Sequence, residues 1–395
     1  MLYRSLRMRL RKLGIPVPWR IAEIQDEWFG GNVLNWDTLD IEESFRAAQL
    51  AAGSRWVLGS EIGLTPFGGL EGIGRRGGFS EFLRVYWFGR RAVSLRGAVG
   101  ARGLLRRVLA GEPAAGEEAT SAHLLRARHR DTQLEFDPPT KVGAKTKHPD
   151  FRIRKAGAPW TFVEVTMLGR SRESSRVGEA IQNVAEAISR IEGSFMLEII
   201  LNREPTVGDA SLLASLAAEV CKLPDGEARQ IGDLGVIFAK GGDARVVIPS
   251  VQVPADTVPR MAVARGVVGP DGLDRQILVR VPFQDERAED VLRKEAKQLP
   301  EGECGLIMVN VNSQPTAFEY WSTRIPERFN SGAHTRVAGV ILFMYATQAT
   351  DHGLAWLPHV KLISNPHAAV PLPSWIVEEI ATTRAATQGR TERPA

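Results

Sequence analysis

Residues 148–168 read HPDFRIRKAGAPWTFVEVTML, and this stretch decides the fold. Residues 150–154 alternate as a strand, with Phe151 and Ile153 on one face and Asp150 and Arg152 on the other. Lys155-Ala-Gly-Ala-Pro159 reads as a turn. Residues 160–168 form the next strand, in which Glu164 and Thr166 share one face and Val163, Val165 and Met167 the other. A tight hairpin of these strands brings the Asp150 and Glu164 carboxylates together near one end of a sheet. A carboxylate in an apolar strand is costly unless it is paired, hydrogen-bonded or bound to a metal. Two such groups side by side repel, and a hard cation removes the repulsion. Magnesium uses one or two carboxylates, completed by waters and phosphate oxygens.

Working outward, residues 117–128 predict a short helix and 132–136 a strand with Leu134 and Phe136 on one face. After the hairpin, Val177, Ala180, Ile181, Val184, Ala187, Ile188 and Ile191 predict an amphipathic helix over 173–192. Further elements follow: strand 195–201, helix 209–222, strands 234–239, 245–248 and 276–282, helix 285–299, and strands 305–311 and 337–345. Strands alternating with helices predict an α/β fold, and three early strands in succession predict a mixed sheet. Gly111-Glu-Pro-Ala-Ala-Gly116 reads as a linker. The expected organisation is therefore a basic, mainly helical N-terminal region over 1–112, an α/β domain over 113–375 and a polar tail over 376–395.

The chain is 44% hydrophobic and 24% charged, as in ordinary globular proteins. No apolar run reaches the roughly 18 residues of a membrane span, and the basic start lacks the apolar stretch of a secretory signal. Cys221 and Cys304 are too few for a disulfide framework or a four-cysteine zinc site, so a reducing cytoplasm is expected. The net charge of +4 is unevenly spread. Residues 1–22 carry Arg4, Arg7, Arg9, Arg11, Lys12 and Arg20 without an acid, and 82–111 carry seven arginines, Arg84, Arg90 and Arg91 among them. Clustered arginine beside Phe82, Tyr86, Trp87 and Phe88 suits a phosphate backbone, although a solvated helix face is the plainer reading. The glycine-rich stretch 68–78 has no Walker lysine and reads as a connector. Asp351, His352 and His359 have no serine or cysteine motif to complete a triad. Trp87, Trp160 and Trp321 read as packing residues.

The order helix, strand, Pro149-Asp150 strand, Glu164-Val165-Thr166 strand, helix, strand resembles the core of the PD-(D/E)xK, or restriction-endonuclease-like, nuclease superfamily. That resemblance covers about 115–201. It implies a mixed sheet flanked by helices and Mg²⁺ or Mn²⁺ held by Asp150 and Glu164. It also implies hydrolysis of a phosphodiester, of DNA above all, by a metal-activated water. The family often places a glutamate in its first core helix, which matches Glu117 and Glu118; Glu118 is carried as a catalytic candidate with Asp150, Glu164 and Thr166. Arg84, Arg90, Arg91, Lys147 and Arg152 are the candidate nucleic-acid contacts.

The chain departs from the family at one position. The motif ends in lysine there, and this chain has Thr166, which can hydrogen-bond a water but brings no cation. Either another cation reaches the site, with Lys145, Lys147, Arg152, Arg170, Lys294 and Lys297 as candidates, or the core has lost catalysis and serves as a scaffold binding nucleic acid or a protein partner. A third reading is an unrelated α/β protein in which Glu164 pairs with a structural arginine. Gln182 and His148 are lesser candidates beside the hairpin.

Overall fold

The computed structural model describes residues 38–52, 78–126, 131–142, 145–169, 171–224, 227–240, 260–268, 274–312, 315–350 and 353–391. Its helices are α1 (Thr38–Ala52), α2 (Gly78–Ser94), α3 (Ala101–Leu109), α4 (Pro113–Arg126), α5 (Arg172–Ile188), α6 (Val207–Val220), α7 (Ala288–Ala296), α8 (Pro315–Asn330) and α9 (Ser374–Thr391). The early strands are β1 (Gln133–Phe136), β2 (Thr140–Val142), β3 (Lys145–Lys147), β4 (Phe151–Arg154), β5 (Thr161–Met167) and β6 (Phe195–Leu201). The later ones are β7 (Ala228–Ile231), β8 (Gly235–Lys240), β9 (Arg260–Val268), β10 (Asp274–Pro282), β11 (Cys304–Asn310), β12 (Val337–Thr350) and β13 (Gly353–Ser364). The protein is thus mixed α/β. Among the described residues no helix is long and apolar enough to cross a membrane.

The chain divides into two compact units, one of residues 1–167, 289–310 and 326–395, the other of 168–288 and 311–325. The first unit holds a six-stranded sheet in the order β1-β4-β5-β11-β12-β13. β5 and β12 run parallel to β11, while β1–β4, β4–β5 and β12–β13 are antiparallel. One sheet face, through Phe151, Val163, Leu306, Ile341 and Phe343, shares a core with Ala119, Ala122 and Leu125 of α4 and Ile376 and Ile380 of α9. Leu95, Ala101 and Leu104 belong to the same core. α1 and α2 approach so closely that a Cβ on Gly89 would lie 1.8 Å from the Ser44 carbonyl oxygen.

The second unit holds a five-stranded sheet, β7-β8-β6-β10-β9, in which β6 and β10 are parallel. Val177, Ile181 and Val184 of α5 and Leu213, Ala217 and Val220 of α6 pack with Leu197, Ile199, Ile277 and Val279. Ser171 caps α5 by accepting from the Ser174 N–H, and Thr206 with Asp209 forms a capping box on α6.

Several sequence expectations shift. The stretch read as a linker contains the start of α4, because Pro113 fits a first helical turn, where no N–H is needed. Leu95 and, from α3, Ala101 and Leu104 share a core with the β4–β5 hairpin, and the compact units divide after Met167 and not at 112. The tail is helical through Thr391, and Trp375, Ile376 and Ile380 at helical spacing bury one face of it. Asp150 sits one residue before β4, and β2–β3, β9, α8 and β13 were not expected. Strand 245–248, the glycine-rich stretch and the arginines of 1–22 lie outside the described residues.

Candidate active site

On the sheet face opposite the α4 core, three strands present their side chains in rows. The β4–β5 register pairs Phe151 with Val163, Arg152 with Phe162 and Ile153 with Thr161. Asp150 and Arg154 flank this paired stretch on one strand, and Trp160 and Glu164 flank it on the other. Directly opposed residues of an antiparallel pair have Cβ atoms about 4.5–5.5 Å apart. Asp150 lies near enough to Glu164 for its charge to raise the Glu164 pKa.

Glu164 is 5% exposed, and its Oε1 has no hydrogen-bond partner. Burial, then the neighbouring Asp150 and Glu295 carboxylates, push its pKa up to about 9, against the pull of Lys147 and Lys294. Asp150 is half-buried and accepts a 2.6 Å hydrogen bond from the Val165 backbone N–H. Burial, with Glu118 and Glu295 adding to it, raises its pKa to about 7, while the Val165 N–H and Arg107 act the other way.

Glu118 is buried and held by both terminal nitrogens of Arg107, at 3.2 and 2.9 Å. Burial outweighs that pairing and raises its pKa. Its charge reaches Asp150, so the helix glutamate expected beside the strand pair is electrostatically part of the site. Glu117 turns elsewhere and accepts a 2.5 Å bond from Asn310 Nδ2.

Thr166 is partly buried on the Glu164 face. Of the replacement cations, Arg152 is committed, donating from Nε (2.8 Å) and a terminal nitrogen (2.6 Å) to Glu135 Oε2. Lys147 Nζ donates to the Lys297 carbonyl at 2.9 Å and acts on Glu164. Lys294 Nζ bonds Glu295 Oε1 at 2.9 Å, and Glu295, Glu164 and Asp150 together raise its pKa. The Arg84 and Lys145 side chains and the whole of Arg170 lie outside the described residues. Arg90 and Arg91 act inward as well: with burial, they depress the pKa of buried His123 to about 3. Gln182 is an exposed position of α5, and His148 is exposed and ion-paired with Asp137 at 3.2 Å.

Sequence reasoning missed Glu295. It is 5% exposed on α7 and lies on the same stripe as buried Leu292, Ala296 and Leu299. A glutamate on an apolar helix stripe was the available signal.

Among the described residues, no three His, Cys, Asp or Glu side chains converge to hold a metal ion. A divalent ion would therefore rest on Asp150 and Glu164, completed by water and substrate oxygens, which is the usual habit of magnesium. The unpartnered Glu164 oxygen and the raised pKa values of both carboxylates, chiefly from burial, fit that donor set. Comparison with family models, curated proteins and solved structures finds no match to this chain.

Proposed function

We propose that the protein is a metal-dependent nuclease of the restriction-endonuclease-like type, hydrolysing phosphodiester bonds, of DNA before RNA. The observation that carries this reading is Glu164: buried, within electrostatic reach of Asp150, and with one oxygen unpartnered. A structural glutamate at such a position would have an arginine, and none is hydrogen-bonded to it among the described residues.

Mg²⁺ or Mn²⁺ bound there would neutralise both carboxylates and acidify a bound water. The chain's own groups do the rest. The Val165 N–H holds Asp150 Oδ2, which would leave the remaining lone pairs of Asp150 for a metal ion. Arg107 holds Glu118 behind Asp150. Lys294 takes over the charge that Thr166 cannot supply. Its raised pKa keeps it protonated, so it stabilises negative charge on the phosphate and does not act as a base. Thr166 can hydrogen-bond the attacking water.

The test is cleavage of plasmid, single-stranded DNA and RNA by the full chain with Mg²⁺ or Mn²⁺. Cutting that disappears on chelation, and in Asp150→Ala and Glu164→Ala variants of unchanged Tm, is the expected result. No cutting of any substrate with either metal would overturn it.

Thr166, with no third ligand converging among the described residues, favours a second reading, a nuclease-like scaffold that binds nucleic acid or a protein partner without cutting. Salt-sensitive nucleic-acid binding that persists in both carboxylate variants, with no cleavage by the wild type, would select it.

A further inference from the structure

Beside Asp150 and Glu164 along the hairpin, Arg152 is paired with Phe162, and Arg154 and Trp160 each lie one residue beyond the paired stretch. Both guanidiniums rest on one indole. The Arg152 Cζ lies 4.5 Å and the Arg154 Cζ 4.2 Å from the Trp160 ring centroid. The adjoining strand β1 fixes each arginine from the side: Glu135 accepts two bonds from Arg152, and Gln133 Oε1 accepts one at 2.8 Å from Arg154 Nε. Two like charges are thus held over a single ring, with Glu135 as their one carboxylate. Arg154 has no carboxylate partner among the described residues.

A guanidinium has five N–H donors, and neither arginine uses all of its own on Glu135 or Gln133. The Arg152 side chain is 27% exposed and Trp160 is partly exposed, so the cluster opens to solvent. The ring and the neighbouring strand hold the arginine side chains in place before any ligand arrives, so little rotamer entropy remains to be lost on binding. A planar fork fixed in this way suits phosphate oxygens. At about 3.3 Å per residue, Arg152 and Arg154 stand roughly 7 and 13 Å along β4 from Asp150. That span equals about two to four 3.4 Å base steps of a nucleic-acid strand.

We propose that Arg152, Trp160 and Arg154 form a backbone track that grips the phosphates of the strand presented to the Asp150–Glu164 pair. This rests on the nucleic-acid reading of that pair and names where the uncut part of the strand lies. The ring serves to fix the arginines, so recognition along the track is independent of base sequence.

The experiment measures binding of a labelled deoxythymidine oligonucleotide to the full chain in EDTA between about 50 and about 200 mM salt. Removing one phosphate contact, as Arg154→Gln does, should weaken binding about fivefold and reduce the slope of log K against log salt by about 0.7. Trp160→Leu, which changes no charge, should weaken binding in the same direction by releasing both arginines. Arg190→Gln, an equal charge change at an exposed position two residues beyond α5, should leave slope and affinity as in wild type. Arg154→Gln and Trp160→Leu proteins of wild-type Tm that bind with wild-type affinity and slope would overturn the track, as would a wild-type protein with no binding at low salt. Binding in EDTA separates the two readings. Loss of cleavage with an intact track effect sinks only catalysis, and cleavage by track variants at wild-type rate and affinity sinks only the track.

Discussion

Two glutamates are buried in mid-strand, one on each sheet, and their surroundings differ. Glu198 of β6 is 1% exposed and accepts a 2.7 Å bond from Arg280 Nε on the adjacent strand β10. Glu164 of β5 is 5% exposed and is acted on by the Asp150 and Glu295 carboxylates, with no arginine hydrogen-bonded to it among the described residues. Burial alone therefore does not mark a functional acid. The informative quantity is what cation the fold supplies: Glu198 receives an arginine, while among the described residues no cation is hydrogen-bonded to Glu164, the position at which the proposed function places a metal ion.

The largest effect should come from emptying the unpaired side of this comparison. Glu164→Gln is expected to lower the initial rate of metal-dependent cleavage by about 10³-fold or more, the several kcal/mol that a correctly held metal contributes. Its metal-free Tm should be equal to or above that of wild type, because a buried acid without a partner has been removed. Glu198→Gln should leave the rate per folded molecule unchanged; a comparable loss there would erase the distinction.

Breaking the paired side should affect stability. Glu198→Ala leaves the Arg280 charge buried and should cost about 3–5 kcal/mol in urea unfolding, much of it recovered in the Glu198→Ala, Arg280→Met double variant. A loss below about 1 kcal/mol, the range of surface pairs, would mean the ion pair is effectively solvated.

A smaller effect tests the cation that stands near Glu164 without pairing with it. Lys294→Met should slow cleavage about tenfold, since the ammonium is mostly exposed and screened. A wild-type rate in that variant would return the role to Lys147 or to Thr166.

The smallest expected effect is a pH slope. The pKa of Asp150 is raised from 3.8 to about 7 and that of Glu164 from 4.5 to about 9. Between these limits the metal-free folded protein binds more protons than the unfolded chain. The pair's contribution to stability is thus complete below about pH 4 and is lost as pH rises through 7 and 9. Calorimetry in EDTA should show Tm falling from pH 6 to 9 more steeply in wild type than in Glu164→Gln. Parallel slopes would contradict the shifts.

The hairpin was legible because its information is local. Alternation over 150–154 and 160–168 specifies faces, and the turn specifies the register that brings Asp150 within electrostatic reach of Glu164. Amphipathic spacing likewise announced α5, which ends at Ile188, and the apolar run of β6 matched residue for residue. What was not legible depends on distant partners or on residues with two readings. Pro113 can end a linker or begin a helix, and only the packing of the Ala115, Ala119 and Leu125 that follow it decides. Ser374 onward looks polar, yet Trp375, Ile376 and Ile380 suffice to seat one face. Glu295 reaches Asp150 and Glu164 from α7, a separation in sequence that no motif spacing encodes. Arg152 shared a face with Asp150 as expected, but its neutralisation by Glu135 required the β1–β4 register.

The claim on which the rest depends is that Glu164 is left unpaired in order to hold a divalent ion with Asp150. Calorimetric titration of Mn²⁺ into the full chain at neutral pH tests it most directly. A saturable site, released protons on binding, and loss of that site in both Asp150→Asn and Glu164→Gln are the predicted result. Absence of saturable binding in wild type, or binding that survives both substitutions, would contradict it.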